Sequence, residues 1–205
     1  MLVDIGNTSL HICKENKVIS VPVKHIDRYK DEEVWYISVN RALKQKISGY
    51  EKWYDLGPYI RIDGEYEGMG VDRKALCMAV GDGVVVDAGS AITVDVMRDG
   101  LYQGGFIYPG FWQLKKSYAA ISSVLERDFV DISPDSLPKD TAQAVTFGAL
   151  IPLVRFIETL GGPLYLTGGD GALLKKYLPK ALYDEGLIFK GMKKAKDLYV
   201  DSSAS

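Results

Sequence analysis

The chain has 205 residues, 47% of them hydrophobic and 25% charged, a globular composition that excludes a disordered or low-complexity polymer. Its 25 basic and 27 acidic residues leave a formal charge of −2, which gives no electrostatic footprint for DNA or RNA. Cys13 and Cys77 have no metal-ligand spacing, the start lacks the pattern of a signal peptide, and no apolar run spans a bilayer, so a soluble protein of the reducing cytoplasm, without nucleic-acid or membrane partners, is expected.

In chain order, Leu2–Ile5 and Ser9–Cys13 read as strands flanking a Gly6-Asn7 turn, a variant of hairpin turn chemistry. Val18–Val23 is a third strand, Asp27–Glu33 a loop or short helix, and Val34–Val39 a buried strand by its aromatic and β-branched content. Arg41–Ile47 reads as a helix ending before Gly49, and residues 51–70 as loop. Asp72 opens a helix over Arg73–Ala79. A second hairpin follows, with strands Gly83–Asp87 and Ala91–Met97 around Ala88-Gly89-Ser90. Gly104–Gly110 is a strand entering a tight loop, and Phe111–Asp128 and Asp140–Leu160 have helical character. Leu164–Leu166 is a short strand running into Thr167–Gly171, Ala172–Tyr177 begins a helix, and Leu187–Phe189 reads as a final strand before a frayed tail, Asp201–Ser205.

One feature organises these elements. Val3-Asp4-Ile5-Gly6-Asn7-Thr8 recurs as Val86-Asp87-Ala88-Gly89-Ser90-Ala91. The period is too long for a solenoid and fits two similar lobes, each beginning with a strand, a turn and a strand. Glycine lets the backbone approach a ligand, consecutive N–H groups make an anion-binding concavity, and a carboxylate just before the turn can hold a cation. Two such turns facing each other would clasp a polyphosphate. Taken singly, each reads first as an ordinary Asp-x-Gly hairpin; it is the second copy that points to a ligand. The Gly-rich lysine motif of P-loop proteins is absent, and Gly64, Gly68 and Gly70 have the wrong spacing for a dinucleotide fingerprint.

Six segments in order resemble the type III pantothenate kinases. They are Asp4-Ile5-Gly6-Asn7-Thr8, Gly70-Val71-Asp72-Arg73, Asp87–Thr93, Gly104–Gly110, Asp140–Ala144 and Thr167-Gly168-Gly169. The resemblance implies an α/β protein with a two-lobed, duplicated actin-like (ribonuclease H-like) ATPase fold, its mixed sheets flanked by helices. We place the lobes at residues 1–80 and 81–205. It also implies transfer of the γ-phosphoryl group of ATP to pantothenate, the first step of coenzyme A synthesis, with Mg²⁺ and K⁺ or NH₄⁺ as ions, and a homodimer. The helix from Phe111 is the expected dimer face.

By the same resemblance Asp72 is the catalytic base. Asp4, Ile5, Gly6, Asn7, Thr8, Ser9, Leu10 and His11 bind ATP, together with Ser90, Gly168 and Gly169. Gly70, Val71, Asp72, Arg73 and Thr141 contact the acceptor, with Arg73 pairing its carboxylate. Asp87 holds the monovalent cation, and Asp4 the Mg²⁺, directly or through water. The acceptor-side tyrosine is Tyr66 or Tyr59. Read without the family, Asp72 and Thr141 are helix-capping residues, Arg73 a solvated charge and Asp87 a turn stabiliser. The chain looks shorter than typical members, and Ser90 stands where many carry threonine. Rival functions are a kinase of the same fold with another acceptor, or a nucleotide-gated or transcriptional accessory protein.

Overall fold

A computed structural model describes residues 1–203. The first sheet contains β1 (Leu2–Ile5), β2 (Ser9–Lys14), β3 (Lys17–Pro22), β4 (Val34–Ser38) and β5 (Trp53–Asp55), in the order β3-β2-β1-β4-β5. β1 pairs antiparallel with β2 and parallel with β4, while β2 and β3 form a hairpin. That hairpin turns through Glu15 and Asn16, both at positive φ (51° and 63°), the geometry that matches the twist of adjoining strands. β1 is central, and its apolar residues are buried on both faces; Asp4 is its one polar residue. Val3, Ile5, Leu10, Ile12, Ile26 and Val34 form the core on one side.

The second sheet contains β6 (Gly83–Ala88), β7 (Ala91–Arg98), β8 (Leu101–Pro109), β9 (Leu164–Thr167) and β10 (Leu182–Tyr183), in the order β10-β9-β6-β7-β8. β9 runs parallel to β6 and to β10, and the two-residue link from β6 to β7 requires an antiparallel pair. Counted within its own set, each sheet has the order third, second, first, fourth, fifth. The same mixed topology thus occurs twice, which is the duplicated ribonuclease H-like arrangement of actin-like ATPases. The sequence echo falls on equivalent positions. Asp4 on β1 stands opposite Ile37 on β4, and Asp87 on β6 opposite Thr167 on β9.

The helices are α1 (Lys44–Ile47), α2 (Val71–Val80), α3 (Phe111–Ile121), α4 (Thr141–Thr159), α5 (Gly171–Tyr177) and α6 (Leu187–Ser203). α4 forms because Asp140 caps it, its carboxylate accepting the Gln143 N–H at 2.9 Å. Its apolar stripe of Val145, Ala149, Leu150, Leu153, Val154 and Ile157 is buried in the second core with Val84, Val86 and Val94. Among the described residues no helix is long and apolar enough to cross a membrane.

The chain divides into two compact units. One contains residues 1–82, 97–103 and the chain from Glu185 onward; the other contains 83–96 and 104–184. A division at residue 80 would leave the C-terminal segment with the second lobe, whereas α6 packs on α2 in the first unit. Gly191 makes this close approach possible, since a Cβ there would collide with the Ala75 carbonyl.

The structure differs from the sequence reading at four places. Leu187–Phe189 is the first turn of α6, not a strand. Its buried residues continue at Met192 and Ala195 with helical spacing, a period that three residues cannot reveal. β5 lies inside the stretch read as loop. α3 stops at Ile121, where Ser122 is extended (φ −165°) and caps a short 3-10 turn, Ser123–Leu125. Of the tail, Asp201–Ser203 continues α6, and residues 204 and 205 lie outside the described residues.

Candidate active site

In the first unit, Asp4 and Ile5 end β1, Gly6, Asn7 and Thr8 form the turn, and Ser9, Leu10 and His11 begin β2. The Gly6 N–H donates to the Ser9 carbonyl at 2.9 Å, and the Thr8 carbonyl accepts the Val23 N–H at 2.9 Å. Strand register sets Asp4 directly across from His11. A second element braces the turn. The Asn40 side-chain amide donates to the Gly6 carbonyl at 3.3 Å, while its oxygen accepts the Leu43 N–H at 3.3 Å. Asn40 carries no motif of its own, and sequence reasoning missed it.

Of the residues expected to contact the acceptor, Gly70, Val71, Asp72 and Arg73 lie at the start of α2. Gly70 is the N-cap residue, without a side-chain cap bond. Asp72 lies in the first helical turn, where a carboxylate is favoured by the helix dipole. Its Oδ1 accepts the Arg73 N–H at 2.8 Å. A Cβ at Gly70 would strike that carboxylate oxygen, so a side chain there would force Asp72 out of this rotamer. Arg73 is buried, at 6% exposure, and is not a solvated surface charge. Its guanidinium donates to the Tyr66 hydroxyl at 2.7 Å and to the Tyr102 hydroxyl at 3.1 Å. Tyr66 is therefore beside Arg73. Tyr59 packs on Tyr199 with ring centroids 5.0 Å apart and its hydroxyl meets Ser202. Tyr102, 29 residues from Arg73, gave no signal in the sequence.

In the second unit, three of the family-like segments converge on the β6–β7 turn. Gly89 N–H donates to the Ala91 carbonyl at 3.0 Å, closing a turn tighter than the first. Gly110, at the head of α3, sits under it: a Cβ there would fall 2.6 Å from the Gly89 carbonyl oxygen. From the other side, Gly168 (φ 83°) leaves room for the same strand end. A Cβ there would stand 2.5 Å from both the Ala88 oxygen and the Asp87 carboxylate. The Asp170 N–H completes the brace by donating to the Ala88 carbonyl at 2.9 Å. Asp87, Ser90, Gly110 and Gly168 thus form one constellation. Gly169 is exposed with no atom near its missing Cβ, so protein packing does not account for glycine there. Gly104 lies within β8 at φ 129° with no atom within 4 Å of a Cβ built there, a conformational role. Burial raises the carboxyl pKa of Asp170 above its ordinary value.

Thr141 is the first residue of α4, but the cap is Asp140, so capping does not occupy Thr141. It is exposed and lines a cleft of about 570 Å³ with Tyr118, Leu125, Pro138 and Val145. Among the described residues no three His, Cys, Asp or Glu side chains group as a metal cage. Single carboxylates beside the turns, Asp4 and Asp87, suit ions held mainly by a nucleotide's phosphates and water, as Mg²⁺ commonly is.

Comparison with known proteins accounts for this combination of elements. The profile of the type III pantothenate kinase family matches residues 51–161. A type III pantothenate kinase of Campylobacter jejuni (strain RM1221) is 40% identical over 198 residues, covering 95% of each chain. That of Sulfurimonas denitrificans is 40% identical over 195 residues, covering 94% of this chain and 95% of its own. A crystal structure from Campylobacter jejuni, described as belonging to the Baf family of transcriptional activators, superposes with a TM-score of 0.89 at 37% identity, covering 98% of both chains. A match this long, running through both glycine turns and the head of α2, makes the chain a member of the type III pantothenate kinase family.

Proposed function

We propose that this protein transfers the γ-phosphoryl group of ATP to the primary hydroxyl of pantothenate, giving 4′-phosphopantothenate and ADP. The observation that carries the reading is the head of α2. There a first-turn carboxylate, Asp72, adjoins a buried guanidinium, Arg73, fixed by two tyrosine hydroxyls in a member of this family. Phosphoryl transfer proceeds through a loose transition state and needs alignment and charge neutralisation more than covalent help. Asp72 receives the proton of the acceptor hydroxyl as that oxygen bonds to phosphorus and the bond to ADP breaks. Arg73 pairs with the acceptor's carboxylate, oriented by Tyr66 and Tyr102, and Gly70, Val71 and Thr141 supply further contacts.

The amides and hydroxyls of Asp4 through His11 bind the β- and γ-phosphates, Ser90 donates to a phosphate, and Gly168-Gly169 passes the nucleotide. Asp4 would hold Mg²⁺, directly or through water, and Asp87 would hold K⁺ or NH₄⁺, ions that would supply charge neutralisation at the phosphates. The working form in this reading is a cytoplasmic homodimer. Support for the ligand roles comes from the hydrogen-bonded turns at Gly6 and Gly89 and the exposed glycine at 169.

The test is phosphate transfer from ATP to pantothenate, with and without potassium, read by coupled ADP release. Wild type should turn over pantothenate in preference to sugars or acetate. Asp72→Asn should lose about 10²–10⁴-fold in kcat while lowering the melting temperature by no more than about 4 °C, because Asn Oδ1 can still accept the Arg73 N–H and only the helix-dipole contribution of the charge is lost. Full activity of that variant would refute Asp72 as the base.

A further inference from the structure

The parallel strands β4 and β5 of the first sheet end in a cleft of about 530 Å³, lined by Ser38 at the end of β4 and Asn40 after it, Asp55 and Gly57 at β5, and Gly70 and Val71 at the head of α2. Ligands of α/β sheets bind outside such carboxyl ends. The lining is strongly one-signed: Arg41, Lys44, Arg61 and Lys74 face a single acidic residue, Asp55. The Asp55 Oδ1 already accepts the Gly57 N–H at 2.8 Å. Lys74 is only 8% exposed, and its ammonium lies 3.2 Å from Glu65 Oε1. The same Glu65 oxygen serves Arg61 at 3.2 Å, and its other oxygen accepts the Ile62 N–H at 3.0 Å. Burial of Glu65 raises its pKa, but the bonds from Ile62, Lys74 and Arg61 outweigh this and hold it below the usual carboxylate range. Among the described residues Arg41 and Lys44 make no ion pair.

Four cations therefore surround one cleft with two carboxylates to balance them. A buried ammonium carries three donors, and the bond to Glu65 uses one. Like charges held together are costly, and an entering anion relieves the cost. The wall also carries the exposed Pro58 beside the largely buried Tyr36, Ile47 and Met69, a small apolar patch that a bare inorganic ion would leave unused. We propose that this cleft binds a small organic phosphomonoester, its phosphate on Lys74 and the Arg41, Lys44 and Arg61 rim and its organic body on the apolar wall. The site is additional to the acceptor and nucleotide contacts assigned above, although Gly70 and Val71 border both.

Titration calorimetry of the full chain at low salt tests this with phenyl phosphate and inorganic phosphate as probes. Phenyl phosphate should bind saturably and about tenfold more tightly than inorganic phosphate. Arg41→Ala/Lys44→Ala should weaken it by about tenfold or more, and Lys74→Met likewise if it folds; the rim variant decides the matter if it does not. Undiminished binding in Gly169→Ala, in the second unit, would exclude the nucleotide turn as the source of the heat and support the proposal. Absence of saturable binding, equal affinity for the two probes, an unaffected rim variant, or displacement of phenyl phosphate by pantothenate would each overturn it. The last result would assign the basic rim to the acceptor's carboxylate. None of these outcomes depends on the kinase assay, so the two readings can fail separately.

Discussion

Replacing Gly168 with alanine adds one methyl group at a point where two costs coincide. The residue sits at φ 83°, a left-handed conformation that costs an L side chain about 1–2 kcal/mol. The new Cβ would also stand 2.5 Å from the Ala88 carbonyl oxygen and 2.5 Å from Asp87 Oδ1, forcing a shift of the β6–β7 turn at a typical overpacking cost of about 1–3 kcal/mol. The sum is about 3 kcal/mol, which for a chain of this size lowers the melting temperature by about 6–12 °C. The neighbouring glycine is the control. Gly169 is not at positive φ and has nothing within 4 Å of its missing Cβ, so Gly169→Ala should melt like wild type. If the nucleotide passes over this backbone, its KM for ATP should still rise, by about tenfold. Thermal unfolding followed by circular dichroism and steady-state kinetics read the two effects separately. A Gly168→Ala protein melting within about 2 °C of wild type would refute the packing argument.

Tyr66→Phe removes one of two hydroxyls that receive the Arg73 guanidinium and should raise the KM for pantothenate up to about tenfold, a loss of about 0.5–1.5 kcal/mol; Tyr59→Phe should leave it unchanged, and the reverse result would move the substrate tyrosine to Tyr59. Gly191→Ala drives a Cβ into the Ala75 carbonyl at the α2–α6 contact. It should destabilise the first unit by about 1–3 kcal/mol, measurable by urea unfolding, and lower activity through α2, which carries Asp72 and Arg73. Asp170 has a carboxyl pKa raised by burial, so the folded state favours its protonated form. Any stabilisation from that form is complete below the unfolded pKa and is lost as pH rises through the folded one. Asp170→Asn should therefore raise the melting temperature at pH 7 and not at pH 3, and an equal effect at both would exclude the titration.

The sequence by itself determined what is local. The two Asp-x-Gly turns and the helices starting near Asp72 and Asp140 depend on residues within a few positions of one another, where backbone sterics and capping act, although the caps themselves fell on Gly70 and Asp140 and not on Asp72 and Thr141. Duplicated topology was legible for the same reason, since Asp4 and Asp87 carry the same short pattern to equivalent strands. Three-residue stretches were not legible: Trp53–Asp55 and Leu187–Phe189 are too short to display a period, and only packing made one a strand and the other a helix start.

Tertiary structure alone decided which distant residues complete each turn. Asn40 reaches Gly6 across 34 residues, Tyr102 reaches Arg73 across 29, and Gly110 and Gly168 close on the β6–β7 turn from opposite ends of the second unit. It also set Tyr66 against Arg73 and Tyr59 against Tyr199, and drew Arg41, Lys44, Arg61 and Lys74 around one cleft. The physical reason is that such contacts follow from strand order and helix packing, which arise from burial summed over whole sheets. No single residue's neighbours along the chain record that sum.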